Sequence, residues 1–164
     1  MTAPRLEQGR VVDLLNTVWA DKSGVHDELA DLGDSPETLR RLRDALRVLA
    51  ADRTGDPRPV AAGHEADVPR AVATLNEVAA LAPTWPELVD GRLVWASDAD
   101  PEARALGELA GEAVRFLTEG PELRACLAPR CVLYFVQDHP RREWCSIACG
   151  NRVRAARHYA RRRA

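Results

Sequence analysis

Four cysteines, all within the last 40 residues, constrain this 164-residue chain more than anything else in it. They run Cys126-x4-Cys131-x13-Cys145-x3-Cys149. Two close pairs a dozen or so residues apart suit a tetrahedral zinc site, because each pair supplies half of the coordination shell. Disulfides, buried structural thiols and a redox pair are the competing readings. No run approaches the ~18 apolar residues of a membrane span, and no apolar segment follows Met1. The expectation is therefore a cytoplasmic chain with no membrane partner, whose thiols stay reduced. Merely structural thiols have no reason to pair at short spacings, and neither pair has redox C-x-x-C spacing. Zinc is the expected cofactor. A shell of four thiolates leaves no open position for water or substrate, so the expected role is structural.

The residues around the pairs give that site a frame. Val132 to Val136 (VLYFV) reads as a strand, Asp138-His139-Pro140 as a turn, and Arg141-Arg142-Glu143-Trp144 as a returning strand. After Cys145 the pattern turns helical. The implied unit is a knuckle, a hairpin and a helix whose first turn carries the last two ligands, as in a treble-clef finger. His139, in mid-turn before proline, reads as an exposed turn residue and not a ligand. A module of about 40 residues rarely holds itself together unaided. A structural zinc contributes roughly 10 kcal/mol or more of folding energy. Removing it is expected to unfold residues 121–164 and to spare residues 1–120.

Charge divides the chain at the same place. Residues 121–164 carry ten arginines against Glu122, Asp138 and Glu143, a formal +7, whereas residues 1–120 carry a formal -9. Gly120-Pro121 punctuates the change of sign, so residues 1–120 and 121–164 are expected to form two domains with different partners. On a helix starting near Ser146, Arg154, Arg157 and Arg161 share one face, with Arg162 beside them. Val153, Ala156 and Ala160 form a second stripe suited to packing on the hairpin or the first domain. Arginine forks bind phosphate oxygens bidentately, and a helix presenting them from a rigid base can lie in a DNA groove. The competing readings are a solvated charged face, an acidic protein partner, or docking onto the chain's own acidic part.

Gly150, directly after a ligand cysteine, is expected to let backbone N–H groups approach thiolate sulfur. Asn151 is expected to bond the same loop, with an adenine edge as the alternative. Arg152 points off the Arg154/Arg157/Arg161 face and is expected to brace the finger against the first domain.

The first 120 residues read as four helices and one hairpin, so the fold class is mostly α (α+β): a helical domain with a small antiparallel hairpin, then the finger. Val11, Val12, Leu14, Leu15, Val18 and Trp19 mark the first helix. Ser35-Pro36-Glu37 starts the second, with Leu39, Leu42, Leu46 and Leu49 as its stripe. Arg53 to Ala66 reads as a loop. Val68, Ala71, Val72, Leu75 and Val78 mark a third helix, stopped by Pro83. Asp90-Gly91 between two short apolar runs is a hairpin signal. Asp100-Pro101-Glu102 caps a fourth helix, with Leu106, Leu109, Ala110, Ala113 and Leu117 buried. Asn16 and Thr17, on the polar side of the first helix, have two readings. Either they line a small-ligand pocket, which would make the domain a sensor of an unidentified effector, or they bond neighbouring loop backbone.

No P-loop, dinucleotide fingerprint, G-x-S-x-G or His-Glu metal motif is present, and His26 and His64 lie in polar stretches without an evident nucleophile. The chain is not expected to be an enzyme. WCSIACGNRVRAARHYARRR, with Cys126 and Cys131 upstream, resembles the CGNR zinc finger, named for the tetrapeptide found at Cys149-Gly150-Asn151-Arg152. Val12-Asp13-Leu14-Leu15-Asn16-Thr17 and the helical, alanine-rich continuation resemble the ABATE domain that precedes this finger. The resemblance implies zinc on Cys126, Cys131, Cys145 and Cys149, and a bacterial, stress-linked transcription regulator whose finger binds DNA. The alternative is a protein-interaction adaptor with a purely structural finger.

Overall fold

The apolar stripes fold into helices that share a single core. The computed structural model describes residues 8–31, 37–58 and 67–163. Helix α1, Arg10–Leu15, buries Val11, Val12, Leu14 and Leu15. It ends sooner than its apolar spacing predicts. Thr17 turns its hydroxyl back onto the Leu14 carbonyl at 2.8 Å, and the chain leaves the helix after Asn16. Val18 and Trp19 are therefore strand residues, not helical ones: β1, Val18–Ala20, pairs antiparallel with β2, Val25–Asp27. The Asp27 carboxylate then caps the short helix α2, Glu28–Asp31, accepting from the Leu29 and Ala30 amides.

Helix α3, Glu37–Thr54, is the central element, with Leu42, Ala45, Leu46 and Ala50 buried. Arg53 and Thr54, read from sequence as loop, form its last turn, and Gly55 at φ 62° ends it in the left-handed region that glycine favours. The Ser35-Pro36 start and residues 59–66 of the expected loop, His64 among them, lie outside the described residues. Helix α4, Val68–Ala79, is capped by the Asp67 side chain on the Arg70 amide and buries Ala71, Leu75 and Val78. Hairpin β3, Trp85–Val89, and β4, Arg92–Ala96, follows. Asp90 and Gly91 both have positive φ, 49° and 74°, as a two-residue turn matched to strand twist requires. Helix α5, Pro101–Glu119, starts on the Asp100 cap, which accepts from Glu102 and Ala103. It comes so close to the end of α4 that a Cβ on Gly107 would stand 2.7 Å from the Ala82 Cβ.

Two strands past residue 120, β5, Leu123–Ala125, and β6, Tyr134–Val136, form the third hairpin. The returning strand expected at Arg141–Trp144 is not one. The strands instead flank the Cys126–Cys131 knuckle, and residues 141–144 run as a turn into helix α6, Ile147–Arg163. Side-chain alternation along β6 sets the architecture. Tyr134 points into the helical core with Leu123, whereas Leu133 and Phe135 point into a second cluster built on the four cysteines. The free edge of β6 is closed by amide side chains. Asn16 exchanges two 2.9 Å bonds with the Tyr134 backbone, and Gln8 takes the Val136 N–H and C=O at 2.8 and 3.4 Å. Two amides flanking α1 thus act as a substitute strand, which removes the edge as a pairing hazard.

Candidate metal centre and basic helix

The cysteine cluster is assembled from three local devices. Cys126 leaves β5 with its N–H on the Leu133 carbonyl, and a tight turn returns Cys131 with its N–H on the Ala128 carbonyl, both at 2.9 Å. Arg130 takes a positive φ, 61°, to close that turn. Cys145 lies just before α6 and Cys149 in its first turn, where the Ser146 hydroxyl accepts from the Cys149 amide at 3.2 Å as a cap. All four thiols are buried, and their sulfurs lie within 4.8 Å of one another.

The separations exclude bonded pairs and fit a cation. Cys131 and Cys145 sulfurs are 3.8 Å apart, and those of Cys145 and Cys149 3.3 Å. A disulfide needs about 2.05 Å. Four sulfurs each ~2.3 Å from a central zinc stand about 3.8 Å from one another. Electrostatics agree. Hydrogen bonds from Cys131 and Cys145 hold the Cys126 thiol far below its ordinary value. The same contacts, with burial, push Cys131 and Cys145 up. Without a cation, one thiolate forms at the expense of its neighbours, and a dication relieves the conflict.

Charge on the sulfurs is met by donors. The Cys145 N–H points at the Cys126 sulfur at 3.4 Å, and Arg152 donates to the Cys149 sulfur at 2.9 Å. Arg152 thus braces a sulfur, not the first domain as its helical position implied. Gly150 serves differently too. Its N–H goes to the Ser146 carbonyl, and its bare α-carbon makes room for Trp144 and Arg154, 3.3 and 3.4 Å from where a Cβ would lie. The Asn151 side-chain oxygen accepts from Arg154, and among the described residues it bonds no loop backbone.

Residues distant in sequence hold the cluster in place. Trp19 of β1 packs into it, stacked on His26 at 4.2 Å, with its indole N–H unpartnered. Arg58 donates to the Cys126 carbonyl at 2.9 Å and to that of Cys131, while Asp56 pairs with Arg58 and accepts from the Tyr134 hydroxyl at 3.0 Å. Buried Arg47 reaches the Leu15 carbonyl at 2.6 Å and that of Val132 at 3.4 Å, over the Tyr134 ring. Arg142 covers Phe135, bonds the Trp144 and Cys145 carbonyls, and pairs with Asp138. None of these was singled out from sequence as serving the metal. Arg58 follows a proline inside an aperiodic stretch, and Trp19 reads from sequence as part of the first helix's apolar stripe.

Asn16 and Thr17 direct their polar atoms at protein. Asn16 is buried on the Tyr134 backbone, and Thr17 donates to Leu14 and lies 3.4 Å from the Arg43 guanidinium. His139 is exposed, accepting from the Arg141 amide.

Beyond Val153, the last buried residue of α6, the helix stands in solvent. Ala156 and Ala160, expected to pack, are exposed, because the finger ends where Val153 meets it. Arg154, Arg157, Arg161 and Arg162 are all exposed. Their bonds stay within α6, Arg154 to Asn151 and Arg161 to the Arg157 carbonyl at 3.4 Å. Among the described residues none of the four pairs with a carboxylate of the acidic part. At the helix start a shallow cleft of about 370 Å³ opens between Arg141 and Arg154, with Trp144, Ser146 and Ile147 along it. No helix among the described residues is long and apolar enough to cross a membrane.

Family models match this arrangement. Residues 122–162 match the CGNR zinc finger, and residues 9–120, more than half of the chain, match ABATE, described as "Putative stress-induced transcription regulator". The two occur in the order that the sequence motifs anticipate. No curated protein matches the chain.

Proposed function

Because the chain belongs to the ABATE family and carries a CGNR zinc finger after that domain, we propose that it is a zinc-clamped transcription regulator whose last helix lies on DNA. The carrying observation is the convergence of four buried sulfurs at the root of an exposed basic helix. Cys126, Cys131, Cys145 and Cys149 hold the zinc, which ties the knuckle to the start of α6 and supplies no reactive position. The protein is accordingly a binding protein and not an enzyme. Arg152 and the Cys145 amide orient and neutralise sulfur. Arg154, Arg157, Arg161 and Arg162 contact phosphates, with Arg141 at the cleft extending the track toward the helix N-terminus. What supports this reading is that none of the four pairs with a carboxylate among the described residues; a face built for intramolecular docking would have spent them on the acidic part. The boundary at residues 120/121 separates functions: the acidic part receives the signal or partner, and the basic part meets nucleic acid.

Duplex binding by the zinc-loaded chain, measured over a range of salt, tests the proposal. Replacing Arg154, Arg157 and Arg161 with alanine together should weaken binding and lower the log–log salt slope by roughly three, about 0.9 for each lost phosphate contact. Unchanged affinity and slope in that variant would remove α6 from the interface.

A further inference from the structure

The β3–β4 hairpin is an arm whose large apolar side chains stand exposed, with no described element packed over them. Its register places Pro86 opposite Trp95 and Leu88 opposite Leu93 on one face, with no polar side chain among the four. Leu88 is 80% exposed, Leu93 64% and Trp95 63%. The other face carries Trp85, Val89 and Val94 at 40–46% exposure, beside Glu87 and Arg92. An isolated two-stranded hairpin is marginal in water, and alternation normally gives such an arm one polar face. This sequence gives it none.

We propose that the arm is a dimerisation element, closing on the same arm of a second copy of this chain across a two-fold axis. Area supports that occupant. The four side chains of the uncharged face leave on the order of 450 Å² exposed, already typical of the largest apolar patch on a monomer. Two copies remove roughly 900 Å² through this face, the size of the smaller interfaces that form and dissociate with concentration. The face is also complementary to itself, as a two-fold interface requires. Leu88 and Leu93 lie near the tip, Pro86 and Trp95 nearer the base, so in an antiparallel pair each leucine couple meets the partner's tryptophan. Nucleic acid does not fit the arm, since its one cation, Arg92, stands beside Glu87 and Asp90.

Sedimentation of the full zinc-loaded chain across a concentration series tests this. The wild type should run at about twice the 18.0 kDa of one chain. Leu88→Asp and Trp95→Ser should each raise the dissociation constant roughly 100-fold or more, as loss of a central anchor does. Because both positions are exposed, circular dichroism and zinc content should stay those of wild type; if one variant misfolds, the other still decides. A wild type that stays monomeric at every concentration overturns the proposal, and so does a dimer that neither substitution weakens.

Discussion

Asn16→Ala isolates the contact that joins the cysteine hairpin to the helical core. Asn16 is 4% exposed, and its amide holds both the N–H and the C=O of Tyr134 at 2.9 Å. Alanine leaves two buried backbone groups without partners. Each orphan costs about 1–3 kcal/mol, reduced where water reaches the β6 edge, so the net loss is about 3 kcal/mol. Against the 5–15 kcal/mol typical of a domain that is a large share, and it corresponds to a fall in Tm of roughly 6–12 °C. Asn16→Asp separates the two bonds. It keeps the acceptor for the Tyr134 N–H but sets a carboxylate against the Tyr134 carbonyl. Its penalty should exceed that of alanine at neutral pH and shrink as acid protonates it. Urea unfolding of the zinc-loaded chain measures both, with m held constant as the check that the same surface is exposed. An alanine variant within about 0.5 kcal/mol of wild type, the range of an inconsequential surface change, would refute the substitute-strand reasoning.

Other consequences follow from the same geometry. Burial pushes the Asp27 carboxyl up, but the Arg43 fork at 2.5 and 2.8 Å outweighs it and holds the group below the usual carboxylate range. Stability from this pair is complete above pH about 4 and is lost as pH falls through the lowered value; Asp27→Asn should flatten that part of the acid-unfolding slope. Gly107→Ala should cost roughly 1–3 kcal/mol by thermal melting, despite better helix propensity, because the Ala82 Cβ and backbone occupy the space. Chelation should lower the melting temperature of the whole chain and not of residues 121–164 alone, since Leu123 and Tyr134 belong to the shared core; hydrogen exchange would locate the loss, and a helical core melting unchanged would contradict it.

The elements that announced themselves did so through local chemistry. Asp90-Gly91 dictates its turn, Asp100-Pro101 its helix start, and the cysteine spacings their convergence. The elements that misled were decided by distant contacts. Val18 and Trp19 fit a helical stripe, yet Thr17 ends the helix and Trp19 is needed over the sulfurs. Arg141–Trp144 has strand-like spacing, but β6 has its partners already in β5 and the two amides. Ala156 and Ala160 continue an apolar stripe with no surface left to meet. Arg152 was placed by helical phase, which cannot reveal that a sulfur lies within reach of its fork. Arg47 and Arg58 carry no sequence signal of their role beside the cysteines because the groups they reach there are backbone carbonyls, and any residue supplies those.

The central claim is that four sulfurs grip one ion and thereby give the basic helix its root. Native mass spectrometry of the full chain, before and after chelation, tests it most directly. The account predicts one zinc per chain with all four thiols shielded from alkylation, and loss of both features together on chelation. A folded chain that carries no metal while its cysteines react freely, or that holds them as disulfides, would contradict it.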